Sequence, residues 1–543
     1  MMLGTTIVIS PLIALMQDQV RALRANGINA HMLNSSQSYE EVNDVIEQLL
    51  RSDVKLLYVA PERLSSNDFL NLLHKIKINF FVIDEAHCVS EWGHEFRSDY
   101  RNLSQLKTLF PDINIAAFTA TATKKVQEDM SRTLGLIDPV ELRGKTQRTN
   151  LKINTELRVS NGKKQLSNFL NKHKGECGIV YAFSRKDVEN MAAYLQTEGY
   201  KAKAYHAGLS NDIRSEVYKE FTYDEIDIVV ATIAFGMGID KSNIRFVVHM
   251  SMPKTMENFY QEIGRAGRDG LDSETLLLYT KADEIQRRLL IEDIDNIEYK
   301  NLMYAKLNKM YSFANTSECK HQKIAQYFDD YIEVCKDLCS ACLRGEVTQV
   351  DISKESQKLL SAIYRCEQRF GINHVVDVLR GSKSQRVFQF NHNKLSVYGI
   401  GEDIPKSSWS AIADRLFELD AITIGEFKAV KITQAGLDIL KAKIDVFIDE
   451  DKLKVVKKES YKINDNYDKN SDTFEAFRAL RKEIAEYSNV PAYIVFSDKT
   501  LALLSQNLPQ TKADMLMVNG IGEVKYERYG EQFLELSQSL KKS

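Results

Sequence analysis

Two groups of residues in this 543-residue chain have the types and spacing to do chemistry. The first is Asp84-Glu85, which directly follows the apolar run Phe80-Phe81-Val82-Ile83. An unbroken apolar run of this kind predicts a strand buried on both faces, as in a parallel sheet. Ligands of such sheets bind beyond the carboxyl ends of the strands. A carboxylate there can hold Mg²⁺, and its neighbour can orient a water that attacks a nucleoside triphosphate. Taken alone, the pair serves equally well as the acidic cap of a following helix. The second group is Cys319, Cys335, Cys339 and Cys342, separated by fifteen, three and two residues. Four thiolates from two short segments suit a closed tetrahedral Zn²⁺ site, with His321 as a rival ligand. Cys88, Cys177 and Cys366 read as ordinary core thiols.

The elements that must hold these groups alternate strand and helix, which implies parallel βαβ units. Thr5–Ser10, Ala30–Leu33, Lys55–Val59 and Ile115–Phe118 read as strands. Pro11–Val20 reads as a helix with proline in its first turn. Gly178–Arg185 and Asp227–Thr232 are strands of a second set. A chain of this length forms about three to five domains. Charged residues make up 27% and hydrophobic residues 44%, the balance of a water-soluble globular protein. The net charge of -3 excludes a global basic field, so any nucleic-acid site must be a local patch. No apolar run reaches membrane-spanning length and no leader is evident, so the expected compartment is cytoplasmic, where clustered cysteines favour metal over disulfides.

Several stretches together resemble the RecQ family of superfamily-two DNA helicases. They are Ser10-Pro11-Leu12 with Asp18-Gln19, Ala60-Pro61-Glu62-Arg63, Asp84-Glu85-Ala86-His87 and Thr119-Ala120-Thr121-Ala122. Gly178–Arg185, Phe235–Lys241 and Tyr260-Gln261-Glu262-Ile263-Gly264-Arg265-Ala266-Gly267-Arg268 follow in order. Ser90–Arg97 resembles the aromatic-rich loop of that family. The resemblance implies an ATP-dependent 3′-to-5′ DNA helicase of recombination and repair that uses ATP, Mg²⁺ and Zn²⁺. Asp84, Glu85, His87, Gln261, Arg265 and Arg268 are then the expected catalytic residues, with Arg268 the arginine that crosses to the triphosphate. Gly238 and Asp240 join Asp84 and Arg268 around the nucleotide. Two arginines three residues apart are expected on one helical face.

Trp92, His94, Phe96 and Arg97 offer stacking faces and a cation to an unpaired strand. Without the resemblance, Trp92 and Phe96 read better as core aromatics. Lys383, Arg386, Lys394 and Lys406 are plausible phosphate contacts, or equally solvated loop charges. The resemblance implies single- and double-stranded DNA as partners, a single-strand DNA-binding protein as a candidate further one, and no membrane.

The expected architecture is α/β, with RecA-like lobes at 1–145 and 146–285 and a zinc-binding module at 286–345. A winged helix at 346–445, a linker at 446–472 and an all-α HRDC domain at 473–543 complete it. Gly520-Ile521-Gly522 either exposes N–H groups to a phosphate or ends a helix, the second being favoured. One part of the pattern is missing. A triphosphate enzyme of this class needs a Gly-rich loop ending in Gly-Lys-Ser/Thr. Gly144-Lys145-Thr146 is the one Gly-Lys-Thr, out of register and read as a linker. The chain therefore looks N-terminally shortened, with an incomplete first lobe. Weak or absent ATP turnover is expected, and a non-catalytic DNA-binding remnant is the alternative. A double-stranded RNA helicase is disfavoured by the tail modules.

Overall fold

The computed structural model describes residues 4–34, 37–93, 97–233, 235–236, 241–345, 348–424, 429–453, 472–488, 492–522 and 525–542. His94, Phe96, Gly238, Asp240, the turn 425–428 and most of the expected linker lie outside them. The chain forms two compact units, Met1–Leu453 and Lys454–Ser543.

In the first unit, β1 (Thr5–Ile9), β2 (Ala30–Leu33), β3 (Leu56–Val59), β4 (Ile78–Ile83) and β5 (Asn114–Ala117) form one sheet in the order β2-β3-β1-β4-β5. All its pairings are parallel. β1, β4 and β5 are neighbours and end together, since Ile9 pairs with Ile83 and Ile83 with Ala117. The residues that follow these three strands must therefore meet at one sheet end. β4 mixes buried and half-buried positions: Phe81 and Ile83 enter the main core of the lobe and Val82 packs, half-buried, on a second cluster, so apolar residues cover both sides with one side less complete. The first helix runs from Ile13 to Ala25, so Pro11 lies before it, outside the first turn.

The second lobe holds β6 (Leu151–Leu157), β7 (Gly178–Tyr181), β8 (Ala202–Tyr205), β9 (Ile228–Ala231), β10 (Phe246–His249) and β11 (Ser273–Tyr279), ordered β6-β11-β10-β7-β9-β8. Every pairing is parallel. β7, β9 and β10 are fully buried, as strands covered on both faces must be. The helix Ile297–Asn315 and the cysteine segment share one hydrophobic core with this lobe, from Leu151 through Phe259 and Leu307 to Cys339. The zinc segment is thus built onto the lobe. Ile153 of β6 donates its N–H to the Leu338 carbonyl at 2.9 Å.

The winged-helix region has its own core around Trp409, Leu359 and Val378. Its β13 (Ile422–Ile424) and β14 (Val430–Ile432) form the expected antiparallel hairpin. The expected linker start at 446 is corrected. β15 (Phe447–Asp449) pairs antiparallel with β12 (Gln349–Asp351) and closes this region. Val446 and Ile448 are buried, and the Asp449 carboxylate meets Arg344 at 2.8 Å, so burial and a charge pair hold a stretch whose acidic composition suggested a linker.

In the second unit the helix Asp472–Tyr487 buries Phe474, Phe477 and Ile484 against Phe496, Leu501 and Phe533. Gly520 has φ +100°, and a Cβ there would lie 2.2 Å from the Thr500 hydroxyl. Gly520 therefore serves a tight turn packed on Thr500, in line with the structural reading of that loop.

Candidate functional site

Asp84 follows β4, and its N–H donates to the Ile9 carbonyl at 2.9 Å. The Ser10 hydroxyl, arriving from β1, donates to Asp84 Oδ2 at 3.2 Å, and the Glu85 N–H to Oδ1 at 2.9 Å. The Tyr100 hydroxyl donates to the Asp84 carbonyl at 3.1 Å. Burial pushes the Asp84 carboxyl above the usual carboxylate range, against those two hydrogen bonds. A cation at this position would reverse that cost, which fits a carboxylate that holds a metal. Glu85 takes a left-handed conformation with φ 47°, uncommon for a residue with a side chain. His87 is fully buried; Nδ1 lies 3.0 Å from the Thr119 hydroxyl and 3.3 Å from Glu85 Oε2. The serine after β1, the acidic box after β4 and the threonine after β5 are thereby joined in one hydrogen-bonded group.

At the corresponding end of the second sheet, the Tyr181 hydroxyl donates to the Phe235 carbonyl at 2.9 Å. Burial pushes that phenol up to about 12, although it is hydrogen-bonded to Arg265. The helix Met256–Ile263 carries Gln261 and is anchored by Glu262, whose Oε2 meets His249 Nε2 at 2.7 Å. The helix stops at Ile263, and Gly267 at φ +63° turns the chain; a Cβ there would lie 2.6 Å from Asn150 Nδ2. Arg265 and Arg268 therefore do not share a helical face. Arg265 is buried at 3% exposure, whereas Arg268 is exposed. Gly264 at the helix C-cap and Gly267 beyond it end the helix here, leaving one guanidinium buried and the other exposed.

The four cysteine sulfurs lie within 4.8 Å of one another. The Cys335 N–H donates to Cys319 Sγ at 3.3 Å, and those of Lys320 and Cys342 donate to Cys339 Sγ at 3.4 Å. Four sulfurs this close cannot all be thiolates without a dication, and the backbone N–H groups already compensate thiolate charge. The donor set fits structural Zn²⁺. Among the described residues the converging ligand set is the four cysteines and does not include His321, whose Nε2 lies 3.1 Å from the Leu338 carbonyl. The buried Lys320 ammonium donates to the carbonyls of Phe313, Ala314 and Thr316 at 2.8, 3.1 and 2.6 Å, closing the C-terminal end of the Ile297–Asn315 helix. Lys320→Met should leave those carbonyls unsatisfied and cost about 2–4 kcal/mol, read as a lower urea midpoint. An unchanged midpoint would contradict this account.

The expected DNA contacts divide. Trp92 is half-buried against the first-lobe core, with the Lys125 ammonium 3.0 Å from its ring centroid. The Arg97 guanidinium donates to the Pro11 carbonyl at 3.3 Å. Lys383, Arg386 and Lys394 are exposed, whereas Lys406 is held by Asp377 at 2.8 Å. Gly144 and Lys145 are exposed in an extended connector, and the Thr146 N–H donates to Asp330 Oδ2 at 3.0 Å, as a linker requires. Lys306 carried no expectation from sequence. It sits on the buried face of its helix between Met303 and Met310, and an amine on an apolar period was the available signal.

Two family models assign these parallel-sheet lobes, with the acidic box after β4, to the helicases. The family model for a DEAD/DEAH box helicase matches residues 3–129, and that for a helicase conserved C-terminal domain matches 161–270. RecQ zinc-binding, RQC and HRDC domain models match 281–343, 346–457 and 470–536. The chain is 40% identical over 545 residues to an ATP-dependent DNA helicase RecQ of Haemophilus influenzae, covering 99% of this chain and 87% of that protein. A protein of the same name from Bacillus subtilis is 39% identical over 541 residues, covering 99% and 89%. The chain belongs to the RecQ family of ATP-dependent DNA helicases.

Proposed function

We propose that this chain couples ATP to 3′-to-5′ translocation on DNA during recombination and repair. The observation that carries the reading is the hydrogen-bonded group of Ser10, Asp84, Glu85, His87 and Thr119 at one sheet end. In this reading Asp84 holds Mg²⁺ and Glu85 orients the attacking water. His87 links them to Thr119, and Gln261 helps position that water or the terminal phosphate. Arg268 neutralises charge on the transferring phosphoryl group when the lobes close. Arg265 holds the segment in place from beneath. Gly238 and Asp240 keep their sequence-level assignment beside the nucleotide.

Trp92, His94, Phe96 and Arg97 would engage the single strand, and Lys383, Arg386 and Lys394 the duplex backbone. A single-strand DNA-binding protein is a further proposed partner, and the cytoplasm the proposed compartment. Among the described residues no helix is long and apolar enough to cross a membrane.

The test is unwinding of a duplex with a 3′ tail beside one with a 5′ tail, together with DNA-stimulated ATP hydrolysis. The 3′-tailed duplex should be the substrate; preference for the 5′ tail refutes the polarity. Turnover by residues 1–543 should be weak, since no Gly-Lys-Ser/Thr loop stands in register among them. Rates matching those of a RecQ helicase that carries such a loop would refute that expectation. Binding of both tails with no turnover at all would favour the second reading, a non-catalytic DNA-binding remnant.

A further inference from the structure

The Lys306 ammonium joins three parts of the first unit. It donates to the Trp92 carbonyl at 3.0 Å and to Glu257 Oε1 at 2.8 Å. Lys306 lies on the Ile297–Asn315 helix, Trp92 in the loop after the acidic box, and Glu257 in the first turn of the Met256–Ile263 helix. The side chains of Lys306 and Glu257 are only 8% and 3% exposed. The Tyr327 hydroxyl, from the helix that follows Cys319, also bonds Glu257. Glu257 precedes Gln261 by four residues, so both lie on one side of their helix.

The loop end of this link is tied to the acidic box. The Ser90 N–H donates to the His87 carbonyl at 3.2 Å, and the Gly93 N–H to the Ser90 carbonyl at 3.0 Å. A Cβ at Gly93 would lie 2.4 Å from the His87 carbonyl, so the turn at Trp92-Gly93 is pressed against the box. The Ser90 hydroxyl donates to Asp129 at 2.6 Å. A displacement of Trp92 therefore removes a partner from a buried cation whose other partner is on the helix of Gln261.

A buried lysine–glutamate pair adds little stability over an apolar pair of similar volume. What the cation adds here is a third partner on another lobe. We propose that Lys306 is a positioning residue that transmits engagement of a single strand at Trp92 to the helix bearing Gln261. The proposal rests on the reading of Trp92 as a strand contact. It makes the long helix of the zinc region a working part of the motor, beyond a static brace.

The test is amide hydrogen exchange on the full chain with and without oligo(dT). In the wild type, oligo(dT) should alter exchange both at 90–93 and at 256–263. In Lys306→Met the loop response should persist and the helix response disappear, while Lys306→Arg retains it. Lys306→Met leaves Glu257 without its cation and lowers stability. The double variant Glu257→Gln, Lys306→Met removes that charge, restores the melting temperature and still lacks the helix response. A helix response that survives in the double variant overturns the proposal, as does a wild type whose loop responds while its helix does not. No loop response in the wild type removes the reading of Trp92, and the inference with it.

Discussion

Cys339→Ser is expected to cost the chain its zinc and to unfold the segment 281–345. Cys339 is the sulfur that accepts two backbone N–H groups, from Lys320 and Cys342. It also pairs with Ile153 across the edge of the second-lobe sheet. A structural zinc site contributes about 10–16 kcal/mol of apparent binding free energy. A domain has about 5–15 kcal/mol of net stability, so its loss exceeds what the segment can absorb. The damage should spread, because the segment and the second lobe share one core. A melting temperature lower by roughly 10 °C or more is the expected readout, alongside zinc content falling from one per chain toward none. Retention of one tightly bound zinc with unchanged melting would mean that three cysteines suffice and would sink this assignment.

Arg268→Ala and Arg265→Ala should fail in different ways. Arg268 is exposed, so its truncation should leave the melting temperature within the range of ordinary surface changes, about 0.5 kcal/mol. If it is the residue that neutralises the transferring phosphoryl group, whatever DNA-stimulated ATP turnover the chain supports falls by about 10³-fold. Arg265 is buried beside the Tyr181 hydroxyl, which in turn holds the Phe235 carbonyl. Its truncation leaves a void and removes one of the two hydrogen-bond partners of the buried phenol, so stability should drop by about 2–4 kcal/mol, with loss of turnover following from disorder of the segment. Parallel measurement of turnover and unfolding midpoint separates the two. Equal loss of stability in both variants would show that the pair acts as one packed unit, and unchanged turnover in Arg268→Ala would remove it from the chemistry.

The parallel lobes, the metal cluster and the positions of the chemical groups on strand ends were legible in the order of residues. Apolar runs of four to six residues read as strands, and Asp84, Ser10 and Thr119 follow such runs directly. Cysteine spacing is a local quantity, so the zinc ligands were legible as well, and the convergence of four sulfurs without His321 answers the question of the rival ligand. Boundaries were less secure where composition misled. The acidic stretch after Asp445 read as a linker, yet it supplies a strand that pairs far back along the chain, Asp449 opposite Gln349.

Three features needed the folded chain. The helix carrying Gln261 ends at Ile263, so the arginines separate into one buried and one exposed, because glycines can either continue a turn or break it. The Ser10–Asp84 bond spans 74 residues and arises from strand order, which no local period encodes. The Lys306 link reaches a carbonyl 214 residues away. Periodicity reports which side of a helix faces inward, since that depends on neighbours three and four residues apart. It carries no information about which distant backbone atom waits there. That is why Lys306 carried no expectation from sequence and its role became apparent only through its partners.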